Sequence, residues 1–144
     1  MILALVLAAA PVDAALLEGL PAVDATLVAH GKTQHCTGPT LANVLAKLGY
    51  PAGEKLGGKA LAGGVVARAS DGYAVLLSLG EIDATLGNEA AIIATTCDGK
   101  PLDDKEGPYR LILSNEKRPA RSVRQLVSLE PIAAAVTETA PHKH

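Results

Sequence analysis

Apolar residues recur at helical spacing in one well-defined stretch of the chain. Positions 41, 44, 45 and 48 carry Leu or Val, and the residues between them are small or polar. This spacing predicts an amphipathic helix, because the four positions fall on one helical face. Thr40 or a neighbouring residue is expected to cap the helix, which ends at Gly49.

Two shorter helices are predicted on either side of this stretch. Residues 14–20 have helical composition, and Pro21 stops the helix. Residues 78–86 begin with Ser78 and carry Glu81 three residues later, which is the pattern of a capping box. Neither segment is long, so short helices are expected throughout.

Segments rich in β-forming residues alternate with turn-forming residues over the rest of the chain. Residues 65–69 and 73–77 flank Ser-Asp-Gly at 70–72, which predicts a hairpin with an Asp-Gly turn. The glycine-rich stretch 50–64 indicates a loop with one short helical turn. The pattern therefore predicts an α+β fold with mostly antiparallel strands and short helices. Further strands are predicted at residues 25–30, 90–96, 109–113 and 122–132.

The two ends of the chain differ in composition from the part between them. Residues 1–12 form an apolar run that resembles the hydrophobic region of a secretory signal, with a first buried strand or helix as the alternative. The run is too short to span a bilayer as a helix, so stable membrane insertion is not expected. Residues 13–132 are predicted to form one domain, and residues 133–144 a flexible tail. The protein is expected in the periplasm or outside the cell.

Composition narrows the range of partners. The chain has 144 residues, a formal net charge of −2, no Phe or Trp, and three Tyr residues. A stacking platform for nucleic acid is therefore not expected, and any anion site must be local. Cys36 and Cys97 are the two cysteines, and they form either a disulfide or two buried thiols.

The order of short motifs along the chain gives the clearest indication of a family. The chain resembles the molybdopterin-binding domain of the sulfite oxidase family, and more closely its small stand-alone bacterial members, which are usually exported. The resemblance runs from about Leu16 to Ile132. The motifs are Gly38-Pro-Thr-Leu41, Asp71-Gly-Tyr73, Ser78-Leu-Gly-Glu-Ile-Asp83, Asp98-Gly-Lys-Pro-Leu102, Gly107-Pro-Tyr-Arg-Leu111 and Arg121-Ser-Val-Arg124.

This resemblance implies an α+β fold with a cleft for a pterin-bound molybdenum, which one cysteine thiolate ligates. The corresponding part of this chain, residues 25–29, has no cysteine, and Cys36 is the displaced candidate for the metal ligand. We therefore expect a binding or accessory module that receives an anion and carries no molybdenum cofactor. One alternative is a molybdopterin-dependent oxidoreductase that uses Cys36 as the ligand. Another is a structural or partner-binding domain with no small ligand.

Clustered cations are the candidate residues for binding a pterin phosphate or another small anion. A guanidinium group suits this task because its forked donors match phosphate oxygens. For Arg110 the alternative role is to tie a turn to a strand through carbonyl groups or Asp71, and for the others it is a solvated basic loop. The candidates that the resemblance implies are Arg110, Lys117, Arg118, Arg121 and Arg124.

Overall fold

Short antiparallel strands, connected by three short helices, build the part of the chain that the structure describes. A computed structural model describes residues 7–132. Three 3-10 turns, at Gly53–Lys55, Gly58–Ala62 and Pro119–Arg121, lie between these elements. In chain order the elements are β1 (Ala10–Pro11), α1 (Ala14–Leu17), β2 (Ala22–Ala29), β3 (Lys32–Pro39), α2 (Leu41–Lys47), β4 (Gly64–Ala69), β5 (Ala74–Ser78), α3 (Leu79–Ile82), β6 (Ala91–Ala94), β7 (Thr96–Cys97), β8 (Lys100–Pro101), β9 (Arg110–Leu113) and β10 (Leu126–Ile132).

The strands form three small sheets. The first has the order β1-β10-β4-β5, the second the order β2-β3-β7-β8, and the third pairs β6 with β9. Each of these pairings is antiparallel. The predicted α+β class with mostly antiparallel strands is therefore confirmed.

Local capping explains where the helices begin and end. The Thr40 hydroxyl accepts a hydrogen bond from the Asn43 amide at 3.1 Å, and this confirms the predicted start of α2. Gly49 has a φ of +94°, a conformation that favours glycine just after a helix. Ser78 and Glu81 form the predicted capping box at α3, but this helix ends at Ile82 rather than at residue 86.

Strand predictions succeeded where the turn was encoded locally. The β4–β5 hairpin is confirmed, with Gly72 at a φ of +91° in its turn. Strand β3 was missed by the sequence analysis, although it pairs with β2 along its full length. The last predicted strand begins at Leu126 instead of residue 122, because Gln125 just before it has a φ of +50°, which is outside the extended region.

Two hydrophobic clusters form the core. The larger contains most buried side chains of α2 and of the first sheet, while the smaller surrounds Cys36 and Cys97. These cysteines face each other across β3 and β7 and form a disulfide, so the alternative of two buried thiols is wrong. At Gly38 a β-carbon would lie 1.8 Å from the carbonyl oxygen of Ile93, so only glycine fits where these backbones cross.

The predicted terminal segments fall largely outside the described residues. All of segment 133–144 and the first six residues of segment 1–12 lie there. At the described end of the latter, Ala10–Pro11 pairs with Leu129 and Ser128 of β10, and Val12 is buried in the larger cluster. Among residues 7–132, no helix has the length and apolar character needed to cross a membrane.

Candidate functional site

Four loops surround a cleft of about 680 Å³. They are the turn after β2, the turn of the β4–β5 hairpin, the segment between β8 and β9, and the segment between β9 and β10. Lysine and arginine predominate among its charged side chains. The residues that line this cleft are His30, Ala69, Asp71, Tyr73, Lys105, Arg110, Arg118, Pro119, Ala120, Ser122, Val123, Arg124 and Gln125.

Arg110 is the buried cation of the cleft. It begins β9 and is only 2% exposed. Its Nε donates to the Ser122 carbonyl at 3.2 Å, and its Nη1 donates to Glu106 Oε1 at 3.0 Å. Burial lowers the pKa of Arg110, Glu106 opposes this effect, and nearby Arg124 lowers the pKa further. The guanidinium nevertheless stays charged near neutral pH, because an arginine titrates far above this range.

Exposed cations stand around the buried one. Lys105, Arg118 and Arg124 line the cleft, and all three side chains are exposed. Asp71 is the one carboxylate among the described lining residues, and its Oδ1 accepts a hydrogen bond from the Tyr73 amide at 3.0 Å. The cleft therefore carries an excess of positive charge, which favours an anionic ligand.

Tyr73 connects two of the four loops that form the cleft. The side chain is half exposed, and its hydroxyl donates to the carbonyl oxygen of Ala120. This hydrogen bond ties the β4–β5 turn to the 3-10 turn that Arg118 precedes. The Asp71-Gly-Tyr73 motif therefore has a structural part in shaping the cleft.

Only some of the predicted site residues meet in the cleft. Arg110, Arg118 and Arg124 line it, whereas Lys117 is exposed and does not. Arg121 points elsewhere, since its Nε lies 2.6 Å from Glu116 Oε1 and its Nη1 lies 2.8 Å from Glu81 Oε1. The same group also donates to the carbonyl oxygen of Leu76.

The alternative role considered for Arg110 is realised in part. This side chain does tie a turn to a strand through a carbonyl group, but its carboxylate partner is Glu106 and not Asp71. The same residue also lines the cleft, so the two roles coexist. Arg110 thus joins the local structure to the site.

Cys36 lies away from the cleft. It is fully buried in the smaller hydrophobic cluster, and its sulfur is bonded to that of Cys97. Among residues 7–132, no group of three or more His, Cys, Asp or Glu side chains is arranged to hold a metal ion. The cationic residues of the cleft can bind an anion, but none of the described residues that line the cleft is a cysteine that could supply a thiolate to a metal.

Three residues of the site were missed by the sequence analysis. Lys105 and His30 line the cleft, and Glu106 pairs with Arg110. Lys105 and Glu106 lie within five residues of Arg110, just before the Gly107-Pro108 motif. Their position beside a suspected anion-binding arginine was the available indication. His30 had no comparable indication, because strand β3, which follows its turn, was not predicted.

Comparison with known proteins identifies no family for this chain. No family model matches it, and no curated protein matches it significantly. The resemblance to the sulfite oxidase family therefore rests on the motifs quoted above and stays a prediction.

Proposed function

We propose that this domain is an anion-binding module, with the cleft around Arg110 as its ligand site. The observation that carries the proposal is a buried guanidinium with three exposed cations around it. A ligand with a phosphate group is the best match, since it presents several acceptor oxygens to guanidinium donors. The protein would act as a binding or accessory module.

Burial makes Arg110 the specific part of this site. In a water-poor environment a charged hydrogen bond is stronger than at the surface, and a buried charge also gains from an additional counter-charge. Glu106 is the only carboxylate that pairs with Arg110 in the described part of the chain. An incoming anion would add a second counter-charge.

The exposed cations have a different task. Lys105, Arg118 and Arg124 are solvated, so each contributes less energy per contact, but together they attract an anion from solution. Their flexible side chains can adjust to ligands of different size. Binding should therefore weaken as salt is added.

The family resemblance suggests a pterin phosphate as the ligand. The cleft volume of about 680 Å³ lies within the range of small-molecule sites, which is roughly 300–1,000 Å³. Arg110, Arg118 and Arg124 would hold the phosphate. When bound, a molybdenum-loaded pterin would supply oxygen-atom transfer, but the cleft contributes no thiolate to it, so we propose no reaction. Export of the protein stays a prediction.

Calorimetric titration with inorganic phosphate and with a pterin phosphate tests the proposal. Replacing Arg118 and Arg124 together by Ala should weaken binding about 30-fold, which corresponds to about 2 kcal/mol for two exposed charged contacts. Both side chains are exposed, so the variant should keep its fold. Circular dichroism and thermal unfolding check this.

Lys117→Ala combined with Lys59→Ala is the matched control. It removes the same number of positive charges, and both residues are exposed and lie outside the cleft. This control should bind within about twofold of the wild type. Equal losses in the two double variants would show that only overall charge matters. Absence of binding in the wild type would contradict the proposal directly.

The oxidoreductase alternative calls for a separate measurement. It requires a Cys36 thiolate, and in this structure Cys36 is bonded to Cys97. The oxidoreductase alternative therefore applies only to the protein in which this disulfide has been reduced. Molybdenum and pterin content should be measured on protein purified under reducing conditions from a host that makes the cofactor. Near-stoichiometric metal that a Cys36→Ser variant loses would establish the alternative.

A further inference from the structure

A second cavity lies at the opposite end of strand β2 from the cationic cleft. Its volume is about 430 Å³, within the size range of small-molecule sites. The start of β2, the start of α2, the segment between α3 and β6, the start of β6 and the residue after β9 form its walls. The polar residues on these walls are Asp24, Thr40, Asn43, Asn88, Glu89 and Ser114.

The charge of this cavity is opposite to that of the cleft. Asp24 and Glu89 contribute carboxylates, and Asn43 and Asn88 contribute amide groups. None of the described residues that line it has a cationic side chain. An electron-rich cavity of this kind favours a ligand that donates hydrogen bonds and carries positive charge.

Two polar atoms on the walls lack partners. Glu89 Oε1 and Ser114 Oγ are buried, and neither has a hydrogen-bond partner among the described residues. A buried polar atom without a partner is unfavourable, and such atoms are rare in native proteins. Because the last torsion of a glutamate side chain is soft, Glu89 can turn an oxygen towards a donor in the cavity. An N–H donor that entered the cavity would give the Glu89 carboxylate a partner there.

The backbone that carries Glu89 is fixed in position. The Glu89 amide donates to the Glu81 carbonyl at 2.9 Å, and the Asn88 amide donates to the Asp83 carbonyl at 2.9 Å. At Gly87 a β-carbon would lie 2.7 Å from the Glu81 backbone, so this loop packs closely against α3. The wall is therefore preorganised for binding, which reduces the entropy lost when a ligand enters.

We propose that this cavity binds a small organic cation with an ammonium or guanidinium group. Glu89 and Asp24 would pair with the cation, while the Ser114 hydroxyl would accept a hydrogen bond from one of its N–H groups. The cavity shares no lining residue with the cleft. Asp24 and His30 lie six residues apart along the chain, or about 20 Å in an extended strand. The proposal is therefore independent of anion binding.

Calorimetric titration with butylammonium and butylguanidinium tests it, with 1-butanol as the neutral analogue of similar size. The cations should bind at least about tenfold more tightly than the alcohol. Glu89→Gln should reduce cation binding about tenfold, because it keeps the size of the side chain and removes its charge. Asp24→Asn should reduce binding by a smaller factor, and its exposed position makes loss of folding unexpected.

Glu54→Gln is the matched control, since Glu54 is an exposed glutamate outside the cavity. It should bind the cations as the wild type does, as should the Arg118→Ala/Arg124→Ala variant. Ala90→Leu, at an exposed position on the cavity wall, should block binding by its size. Equal binding of alcohol and cations would overturn the proposal. No binding to the wild type, or unchanged binding in both the Glu89 and Asp24 variants, would do the same.

Discussion

Arg110 and Arg121 are close in the sequence but lie in contrasting surroundings. The Arg110 side chain is 3% exposed and pairs with one carboxylate, that of Glu106. The Arg121 side chain is 32% exposed and pairs with two, those of Glu81 and Glu116. The first lines a cleft with other cations, whereas the second lies outside it.

The difference shows what decides the role of an arginine in a basic run. Carboxylates already neutralise the charge of Arg121, and they hold its guanidinium away from the cleft. Arg110 is buried with less negative charge around it, so it can gain from an anion. Neighbouring carboxylates, rather than the local density of cations, therefore decide which of these arginines is available to an anion under the proposed function.

The largest expected effect is that of Arg110→Ala. This change leaves Glu106, whose side chain is 18% exposed, without its ion-pair partner, and it removes a donor from the Ser122 carbonyl. We expect the free energy of unfolding to fall by about 3 kcal/mol, as for other broken buried pairs. Urea denaturation measures this. Adding Glu106→Gln should restore part of the loss, and a double variant no more stable than the single one would refute the pairing argument.

A smaller effect is expected from Arg121→Ala. Both of its carboxylate partners are about one-third exposed, so solvent weakens each ion pair. The free energy of unfolding should fall by about 1 kcal/mol, and phosphate affinity should not change. Thermal unfolding and calorimetric titration on the same samples give both values. If phosphate binding falls as it does for Arg118→Ala/Arg124→Ala, the contrast between the two arginines is wrong.

The smallest expected effect concerns the stability of the fold in acid, to which Asp83 contributes. The Thr85 hydroxyl, followed by the amides of Gly53 and Thr85, holds the pKa of Asp83 below its usual value. A carboxyl group with a lowered folded-state pKa stabilises the fold above its unfolded pKa, which is about 3.9. That stabilisation is lost as the pH falls through the folded-state pKa.

Urea denaturation at several pH values below about 5 should therefore show a steeper loss of stability for the wild type than for Asp83→Asn. Parallel pH profiles for the two proteins would show that Asp83 makes no contribution to the acid response. Thr85→Val serves as a second variant, because it removes the hydroxyl and leaves the carboxylate.

Much of the fold was predictable where a few neighbouring residues fix the geometry. Thr40, Ser78 with Glu81, and the Asp71-Gly72 turn each encode a cap or a hairpin within a few residues. Strand β3 lacks such a local pattern, since most of its residues are polar. Its conformation depends on pairing with β2 and β7, which the sequence analysis could not weigh.

The candidate site was predictable only in part, for a similar reason. The clustered cations could be seen in the sequence, and three of the five predicted residues line the cleft. The position of Arg121 depends on Glu81, which lies forty residues earlier on α3. The sequence left open whether Cys36 and Cys97 form a disulfide or two buried thiols. The pairing of these two residues across β3 and β7 decides this, and it depends on long-range contacts. Long-range contacts of this kind leave no periodic pattern in a sequence.

The disulfide turns the middle of the chain into a covalent ring. Cys36 and Cys97 are 61 residues apart, and the ring between them includes Asp71 and Tyr73 of the cleft, whereas Arg110 and Arg124 lie outside it. A protease that cuts once in the glycine-rich segment 50–64 would therefore release no fragment. The nicked protein would migrate as one species in a non-reducing gel and separate into two pieces after a thiol is added.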